Sequence, residues 1–387
     1  MIEVIIKTRN IIGKGELANI PKLLYEYNYQ KFGFIIDPVF KGDLYVNELL
    51  SKIENEGLLQ VVYYYDLPFE PDYDSLDRVK FKFKNSINNE ALVDIIVAIG
   101  GGSVIDFAKG ISTLVNNHEP ALFYKGFPKD IKPSVPVVAV PTTAGTASEV
   151  TYNAVFTDTK IGRKLGINTF NNFPVLAILD SNMTRNCPSN VALSSGLDAL
   201  VHAFESFACK KSNYYTRIFA KESISYLLGN ILPAILEPQN DKARENMLFG
   251  AYLAGISLYN AGSGPAGAIS YPLGVLCKVP HGLAGGFVLP YLIEHNVNAG
   301  YMEYSEIARY IGLSSGTDSQ ASELLVKKLF DLYDKLNVWS YKSKYYVDIK
   351  NDNELKNYLS LLQGAFDQNP VPFSIMDAEK IINKIFN

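Results

Sequence analysis

Two side chains able to bind a metal lie four residues apart in the segment DALVH, residues 198–202. Residues i and i+4 of a helix emerge on one face, so Asp198 and His202 can reach the same ion. A carboxylate with an imidazole suits a divalent transition metal such as Fe(II), Zn or Mn. His281, in a Gly-bounded PHG turn, could be a third ligand. For an isolated D-x-x-x-H the favoured alternative is a hydrogen-bonded core histidine beside a surface acid.

A glycine-rich turn lies between an apolar run and a helical pattern in AIGGGSVIDFAKG, residues 98–110. Gly100, Gly101 and Gly102 allow a close approach of the backbone to a ligand, and the following helix directs free N–H groups at the turn. Together they predict an anion site suited to a pyrophosphate. Ser103 could cap the helix or bond a phosphate. The spacing is not G-x-G-x-x-G, so an ordinary strand-to-helix turn is the alternative.

A second polar loop, PTTAGTASEVT at residues 141–151, follows the apolar run VPVVAV. It offers hydroxyl groups and the amides around Gly145 at the end of a strand, where open α/β sheets bind ligands; the hydroxyls belong to Thr142, Thr143, Thr146 and Ser148. The alternative is a Thr-rich loop with local turns. Asp37 ends an earlier run, FGFIID, and an acid there can accept hydrogen bonds from ribose hydroxyls. A simple turn-starting Asp fits its spacing equally well.

The candidate site residues fall in two regions of the chain with different predicted secondary structure. Near-continuous Val/Ile/Leu runs at 32–37, 59–66, 93–100, 135–141 and 175–180 alternate with helical patterns, which predicts a parallel sheet with helices on its faces. The segment MIEVIIKT, residues 1–8, is interpreted as an additional β-segment. Helical periodicity dominates after about residue 184. We therefore predict an α/β domain over residues 1–183 and an all-helical domain over 184–387.

Composition excludes several classes of function. The net charge of −4 gives no general attraction for nucleic acid or an anionic membrane. We see neither a signal-peptide pattern nor an apolar run long enough to cross a bilayer, so a cytoplasmic protein is expected. Three widely spaced cysteines argue against a disulfide framework. With four histidines in the chain, a His-rich metal site is also excluded.

The motifs GGGSVID, PTTAGTASEVT, GLDALVHAFES and VPHGLAGGFVLP occur in this order over most of residues 1–295. In combination they resemble the iron-containing, or group III, alcohol dehydrogenase family, whose fold is dehydroquinate synthase-like. The resemblance implies a dinucleotide-binding α/β domain, a helical metal domain and reversible hydride transfer between NAD(P)(H) and an alcohol or aldehyde. It also suggests a homodimer, in which the first β-segment could join the two copies.

Within that resemblance, the expected cofactor contacts are Asp37, Gly100, Gly101, Gly102, Ser103, Asp106, Thr142, Thr143, Gly145, Thr146, Ser148 and Lys164. Asp37 favours NAD over NADP, because an acid there repels a 2′-phosphate. Asp106 is expected near the nicotinamide side, and Lys164 is a weaker match.

The resemblance fails at the chemical centre. The family uses one Asp and three His as metal ligands, and Asp198, His202 and His281 match three of them. Gly267 stands where the remaining His is expected, and Tyr271 replaces a further His associated with proton relay. Three outcomes are open: a three-ligand metal, Fe(II) or Zn, with water or substrate in the vacant position; a metal-free enzyme with Tyr271 as the acid; or a protein that only binds a nucleotide.

The missing side chain at Gly267 also predicts a wider pocket and hence a larger or more polar substrate, such as a sugar-derived aldehyde. In the mechanism expected from the resemblance, the metal polarises the substrate oxygen, hydride passes to or from the nicotinamide and Tyr271 relays the proton. The rival enzyme is an oxidoreductase of the same fold acting on a polyol or a phosphorylated substrate.

Overall fold

The structure of this 387-residue chain is a computed structural model that describes residues 2–66, 71–85, 90–347 and 352–386. The chain divides into two compact units. We call Ile6–Thr143 with Ala147–Cys187 the α/β unit, and Met1–Ile5, Ala144–Thr146 and Pro188–Asn387 the helical unit.

The α/β unit is built on a six-stranded, wholly parallel sheet with the order β1-β8-β5-β4-β2-β3. Its strands are β1 (Arg9–Ile12), β2 (Phe32–Ile36), β3 (Leu59–Tyr64), β4 (Ile95–Gly100), β5 (Val137–Pro141) and β8 (Leu176–Leu179). The strands β6 (Val155–Asp158) and β7 (Arg163–Gly166) form a separate antiparallel hairpin. The predicted parallel sheet is therefore present.

The sheet is covered on both faces. Side chains of a strand point alternately to opposite faces, and on β4 Ile96 and Ala98 join one buried cluster while Ile95, Val97 and Ile99 join the other. Helices α1 (Ile20–Tyr25) and α2 (Leu44–Asn55) contribute to the second cluster, and α3 (Tyr73–Val79) and α4 (Gly102–Asn116) to the first. Burial on both faces explains why the strands are continuous apolar runs rather than alternating ones.

Two features of this unit depart from the sequence prediction. The strand predicted over residues 1–8 is wrong in position, because β1 begins at Arg9, where the chain first aligns with Leu176 of β8. Before that point, the Ile5 N–H donates to Asn260 Oδ1 at 2.7 Å, within the helical unit. The β6–β7 hairpin escaped prediction because its four-residue strands, VFTD and RKLG, carry too little periodicity to be recognised.

The helical unit confirms the predicted all-helical texture. Its helices are α5 (Ser189–Ala208), α6 (Tyr214–Leu236), α7 (Asp241–Ala261), α8 (Pro265–Cys277), α9 (His281–Asn298), α10 (Tyr304–Tyr310), α11 (Asp318–Lys335), α12 (Asn353–Ser360), α13 (Gln363–Phe366) and α14 (Ile375–Phe386). No helix in the described ranges is both long and apolar enough to cross a membrane.

Helices α8 and α9 occupy the glycine-rich region where the sequence suggested turns. Pro265 stands in the first turn of α8, where its missing N–H costs nothing. Ile269, Leu273, Leu283 and Phe287 are buried in the core of the unit. Tertiary burial therefore overrides the poor helix propensity of the glycines.

Gly229 offers a simple test of the helical unit. It is exposed within α6, and no atom lies within 4 Å of the position that a Cβ would take. Gly229→Ala should stabilise the protein by about 0.5–1 kcal/mol, because Ala loses less backbone entropy in a helix. Urea unfolding monitored by circular dichroism measures the change, and a loss of stability would show that this helix is not formed as described.

Candidate active site

The three predicted metal ligands lie together in the helical unit. Asp198 and His202 are on one face of α5, with side chains 7% and 11% exposed, and His202 Nε2 is 3.6 Å from Asp198 Oδ1. His281 Nε2 is 3.8 Å from the same oxygen. The fold thus gathers both imidazoles around one carboxylate oxygen.

His281 reaches this position as the first residue of α9 rather than within a turn, which corrects the sequence prediction. The next residue, Gly282, allows α9 to approach α5. A Cβ on Gly282 would lie 2.0 Å from the Ser194 carbonyl oxygen and 2.9 Å from Asp198 Cβ. The close packing of α9 against α5 therefore requires a glycine at position 282, and this packing keeps His281 beside Asp198.

The donor set is open rather than closed. Within the described residues, no group of three or more His, Cys, Asp and Glu side chains lies, as it stands, in an arrangement that could hold a metal ion. Two ligand atoms bound to one tetrahedral ion are about 3.4 Å apart when each bond is about 2.1 Å. The distances of 3.6 and 3.8 Å to Asp198 Oδ1 exceed this separation by a few tenths of an ångström. A metal ion held by all three side chains would therefore require them to rotate toward one another.

His202 supports the fit to a metal. Its Nδ1 is buried and has no hydrogen-bond partner, and its Nε2 is 3.6 Å from Asp198 Oδ1, beyond a normal hydrogen bond. A buried imidazole left unsatisfied in this way costs free energy. A cation coordinated by Nε2 and by Asp198 would leave Nδ1 as it is, so the fit to a divalent metal rests on the chemistry of the donor set, a carboxylate oxygen with imidazole nitrogens.

Glu205, which the sequence analysis did not select, lies three residues beyond His202 on α5. Its buried carboxylate accepts hydrogen bonds from Ser263 Oγ at 2.6 Å and from backbone N–H groups of Gly264, Ala266 and Gly267 at 2.9, 2.6 and 3.2 Å. Burial raises the pKa of Glu205, although these hydrogen bonds oppose the shift. The spacing Asp198, His202, Glu205 (i, i+4, i+7) is the signal that could have revealed it.

The surroundings of Gly267 correct one expectation. A Cβ there would lie 2.6 Å from Ser263 Oγ and 3.1 Å from Glu205 Oε2. The space beside Gly267 is therefore already filled by these two side chains. The prediction that Gly267 widens the pocket is therefore wrong for the space that a side chain at this position would enter. The argument for a larger substrate, which depends on that space, no longer holds.

Tyr271 lies beside His281, as its place in the sequence suggested. The two ring centroids are 5.0 Å apart with an interplanar angle of 60°. The neighbouring Ser270 donates to the Gly267 carbonyl oxygen at 2.5 Å, and its Oγ is 2.8 Å from His281 Nδ1 and 3.4 Å from Nε2. Because the hydroxyl is near both nitrogens at once, it lies against the ring of His281 and not along the lone-pair direction of either nitrogen. Ser270 therefore supports the ring mainly by contact.

The candidate cofactor residues meet at the carboxyl ends of β2, β4 and β5. Asp37 follows β2, and its N–H donates to the Ile99 carbonyl oxygen at 2.8 Å; the Thr142 N–H donates to that of Gly100 at 3.1 Å. A Cβ on Gly101 would lie 3.4 Å from Thr143 Oγ1. These strands are adjacent in the sheet, so the glycine turn, the second loop and Asp37 share one edge, where open α/β sheets bind ligands.

The glycine turn has a specific structural need for its first glycine. A Cβ on Gly100 would lie 2.6 Å from the side chain of Val104, so glycine allows α4 to pack against β4. The N-cap of α4 is Gly101, and Ser103 is the second residue of the helix. Capping by Ser103 is therefore wrong, whereas its exposed hydroxyl remains compatible with a phosphate. Asp37 Oδ1 accepts from the Val39 N–H at 3.1 Å, so the turn role of Asp37 is present.

The remaining cofactor candidates are more dispersed. Asp106 accepts hydrogen bonds from the Ser148 hydroxyl and from the Val155 N–H at 2.9 Å, which commits its carboxylate to internal contacts. Gly145 packs against α5, where its Cβ would lie 2.6 Å from Ser195 Cβ. Thr146 is exposed, and Lys164 lies on β7 opposite Thr157.

Comparisons with known proteins agree with this architecture. The iron-containing alcohol dehydrogenase family model matches residues 7–181, and the model of the C-terminal region of the same family matches residues 192–386. A 1,3-propanediol dehydrogenase of Citrobacter freundii is 39% identical over 220 residues, which are 57% of this chain and 57% of that protein. Lactaldehyde reductase of Escherichia coli K12 is 31% identical over 303 residues, 78% of this chain and 77% of that protein.

A crystal structure of a 1,3-propanediol oxidoreductase superposes with a TM-score of 0.91 at 26% identity, covering 100% of both chains. The predicted fold class is thereby confirmed. Since the two family models together span nearly the whole sequence, the chain belongs to the iron-containing alcohol dehydrogenase family, whose members named above are dehydrogenases, reductases or oxidoreductases.

Proposed function

We propose that this protein is an NAD-dependent alcohol dehydrogenase or aldehyde reductase that transfers a hydride between the nicotinamide and an alcohol carbon. The observation that carries the proposal is the gathering of His202 and His281 around Asp198 Oδ1. The glycine turn and the second loop, which share one edge of the parallel sheet, supply a matching dinucleotide site.

In this proposal the α/β unit binds the dinucleotide. The amides of Gly101 and Gly102 and the N-terminus of α4 bind the pyrophosphate, assisted by the Ser103 hydroxyl. Asp37 accepts hydrogen bonds from the ribose and disfavours a 2′-phosphate, which selects NAD over NADP. The second loop provides further contacts through Thr142, Thr143, Gly145, Thr146 and Ser148, and Asp106 supports Ser148. Lys164 is a further proposed contact.

In the helical unit, Asp198, His202 and His281 would hold a divalent metal, Fe(II) or Zn. When bound, such an ion supplies Lewis-acid polarisation of the substrate oxygen. His281 and Asp198, which lie side by side, would orient the substrate oxygen. The Tyr271 hydroxyl would donate the proton to the alcohol oxygen or accept it. The edge contact between the rings of Tyr271 and His281 supports this role.

The substrate is proposed to be a small polar alcohol or aldehyde. The filled space beside Gly267 gives no additional room, and the named relatives act on propanediol and lactaldehyde. A metal-independent enzyme using Tyr271 is the second candidate, because the three ligands do not form a closed site.

The test is an assay of the purified protein with NAD⁺ or NADP⁺ and a panel of short diols, simple alcohols and sugar alcohols, with metal content measured on the same sample. We expect NADH formation with short diols, about one metal per chain, and inhibition by a chelator. Turnover unaffected by a chelator in metal-free protein would establish the second candidate. NADH binding without turnover of any alcohol or aldehyde would show a protein that only binds the nucleotide.

A homodimer is also proposed, joined through the first segment of the chain. Ile2 and Ile6 are 54% and 48% exposed, so their apolar side chains are available for contact with a second copy. Light scattering of the full chain and of an Ile2→Asp/Ile6→Asp variant tests this, since only the first should have the mass of a dimer. A monomeric full chain would contradict it.

A further inference from the structure

A buried lysine lies close to the candidate cofactor loops. The Lys109 side chain, on α4, is 0% exposed. Its ammonium donates to Ser148 Oγ and to the Asn153 carbonyl oxygen, both at 2.8 Å, and is 3.7 Å from Asp106 Oδ1. Lysine is among the residues least often buried in proteins, so this position requires an explanation.

Two carboxylates complete what we call the Lys109 cluster: Lys109, Asp106, Ser148 and Glu149. Asp106 accepts hydrogen bonds from the Ser148 hydroxyl and from the Val155 N–H at 2.9 Å. Glu149 is 3% exposed. A buried ionic group of this kind contributes little net stability compared with apolar residues of similar size. Stability alone therefore does not account for the cluster.

The position of the cluster suggests its role. Helix α4 begins directly after the glycine turn, whereas Ser148 and Glu149 belong to the short 3-10 helix Ser148–Val150 at the end of the second loop. Just before this helix, Ala147 has a left-handed backbone with φ 53°, which Ala adopts at a cost. An external constraint must hold that conformation, and Lys109 and Asp106 supply it through Ser148, Asn153 and Val155.

We propose that Lys109 is a positioning residue for the dinucleotide site, whose ammonium fixes the second loop relative to the glycine turn. This inference rests on the proposed use of NAD. Lys109 acts through Ser148 and the loop backbone. Neutralising it should release segment 141–155 and weaken dinucleotide binding, while the sheet and the metal ligands stay in place.

The proposal also predicts a pH dependence. Burial lowers the pKa of Lys109 to about 8, although the carboxylates of Asp106 on α4 and Glu149 on the facing 3-10 helix oppose the shift. Burial raises the pKa of Glu149 to about 7. Above pH 8 Lys109 loses its charge and with it the strength of its hydrogen bonds, so the affinity for NADH should fall from pH 7 to pH 9.

The experiment compares Lys109→Met with Lys80→Met. Lys80 is also nearly buried in the α/β unit, where its Nζ donates to Asp77 Oδ1 at 2.8 Å and to the Glu119 carbonyl oxygen at 3.2 Å. Both variants lose the ion pair of a buried lysine, but only Lys109 contacts the loop. The measurements are the NADH dissociation constant from fluorescence at several pH values, steady-state kinetics, and hydrogen exchange of segment 141–155 without cofactor.

We expect Lys109→Met to raise the NADH dissociation constant at pH 7 at least about tenfold, the effect of losing hydrogen bonds to a charged group. KM for NAD⁺ should rise more than kcat falls, the pH dependence should disappear, and exchange of segment 141–155 should accelerate. Lys80→Met should leave NADH affinity unchanged.

Equal NADH affinity in wild type and Lys109→Met would overturn the proposal, as would equal hydrogen exchange of segment 141–155 in the two proteins. If Lys109→Met does not fold, the same measurements on Lys109→Gln, which also removes the charge, decide the question. Wild-type protein that binds no dinucleotide would refute the proposed function; hydrogen exchange would then still report separately whether Lys109 holds the loop.

Discussion

Asp198→Asn and His202→Gln should each abolish stoichiometric metal binding and lower kcat/KM about a thousandfold, since a Lewis acid contributes several kcal/mol to the transition state. The expected loss is large because the site offers three side-chain ligands, and Gly267 cannot replace one of them. Both substitutions conserve the approximate shape of the side chain, so α5 should remain folded. Metal analysis of the purified variants and steady-state kinetics give the result.

His295→Gln is the matched control. His295 lies on α9, as His281 does, but its Nε2 is near the Pro372 carbonyl oxygen, at 3.2 Å. This variant should keep both its metal and its activity. If Asp198→Asn and His202→Gln remain fully active without metal, the Lewis-acid role is excluded. Tyr271→Phe would then be the inactive variant.

The sequence is sufficient to predict which loops lie at the cofactor-binding edge of the sheet, because each of these loops directly follows an apolar strand. A buried apolar run such as Ile95–Gly100 is a strand of a parallel sheet, and its carboxyl end must lie beside that of its neighbour Val137–Pro141. The glycine turn and the second loop each follow one of these strands. Their proximity was therefore predictable without knowledge of a single tertiary contact.

The helical unit was less predictable because its glycines serve packing between distant segments. Gly282 faces Ser194, and Gly264 and Gly267 face Glu205, across more than fifty residues of sequence. Nothing local distinguishes such a glycine from one in a turn. For this reason the sequence predicts a turn at His281 and open space at Gly267, and it gives no contact for Glu205.

Gly282→Ala should be among the most damaging single-methyl changes in this protein. The added Cβ would lie 2.0 Å from the Ser194 carbonyl oxygen, and a backbone atom within α5 cannot move aside without displacing the helix. Overpacking of this kind costs about 1–3 kcal/mol and occasionally more, and we expect about 3 kcal/mol or more here. If α9 moves away to relieve the clash, His281 leaves Asp198, so metal affinity and kcat should fall together.

Gly285→Ala separates this effect from the general consequences of adding a methyl group to α9. Its Cβ would meet Val201 Cγ2 at 3.4 Å, an ordinary contact, and Ala gains about 1 kcal/mol over Gly in helix propensity. Gly285→Ala should therefore be at least as stable to urea as the wild type and retain its metal. Equal stability and equal metal content in the two variants would mean that α9 does not depend on Gly282 for its approach to α5. Because α9 begins at His281, a shift of the backbone at Gly282 also moves the His281 imidazole. A lower metal content in Gly282→Ala, but not in Gly285→Ala, would therefore show that Gly282 determines the position of His281.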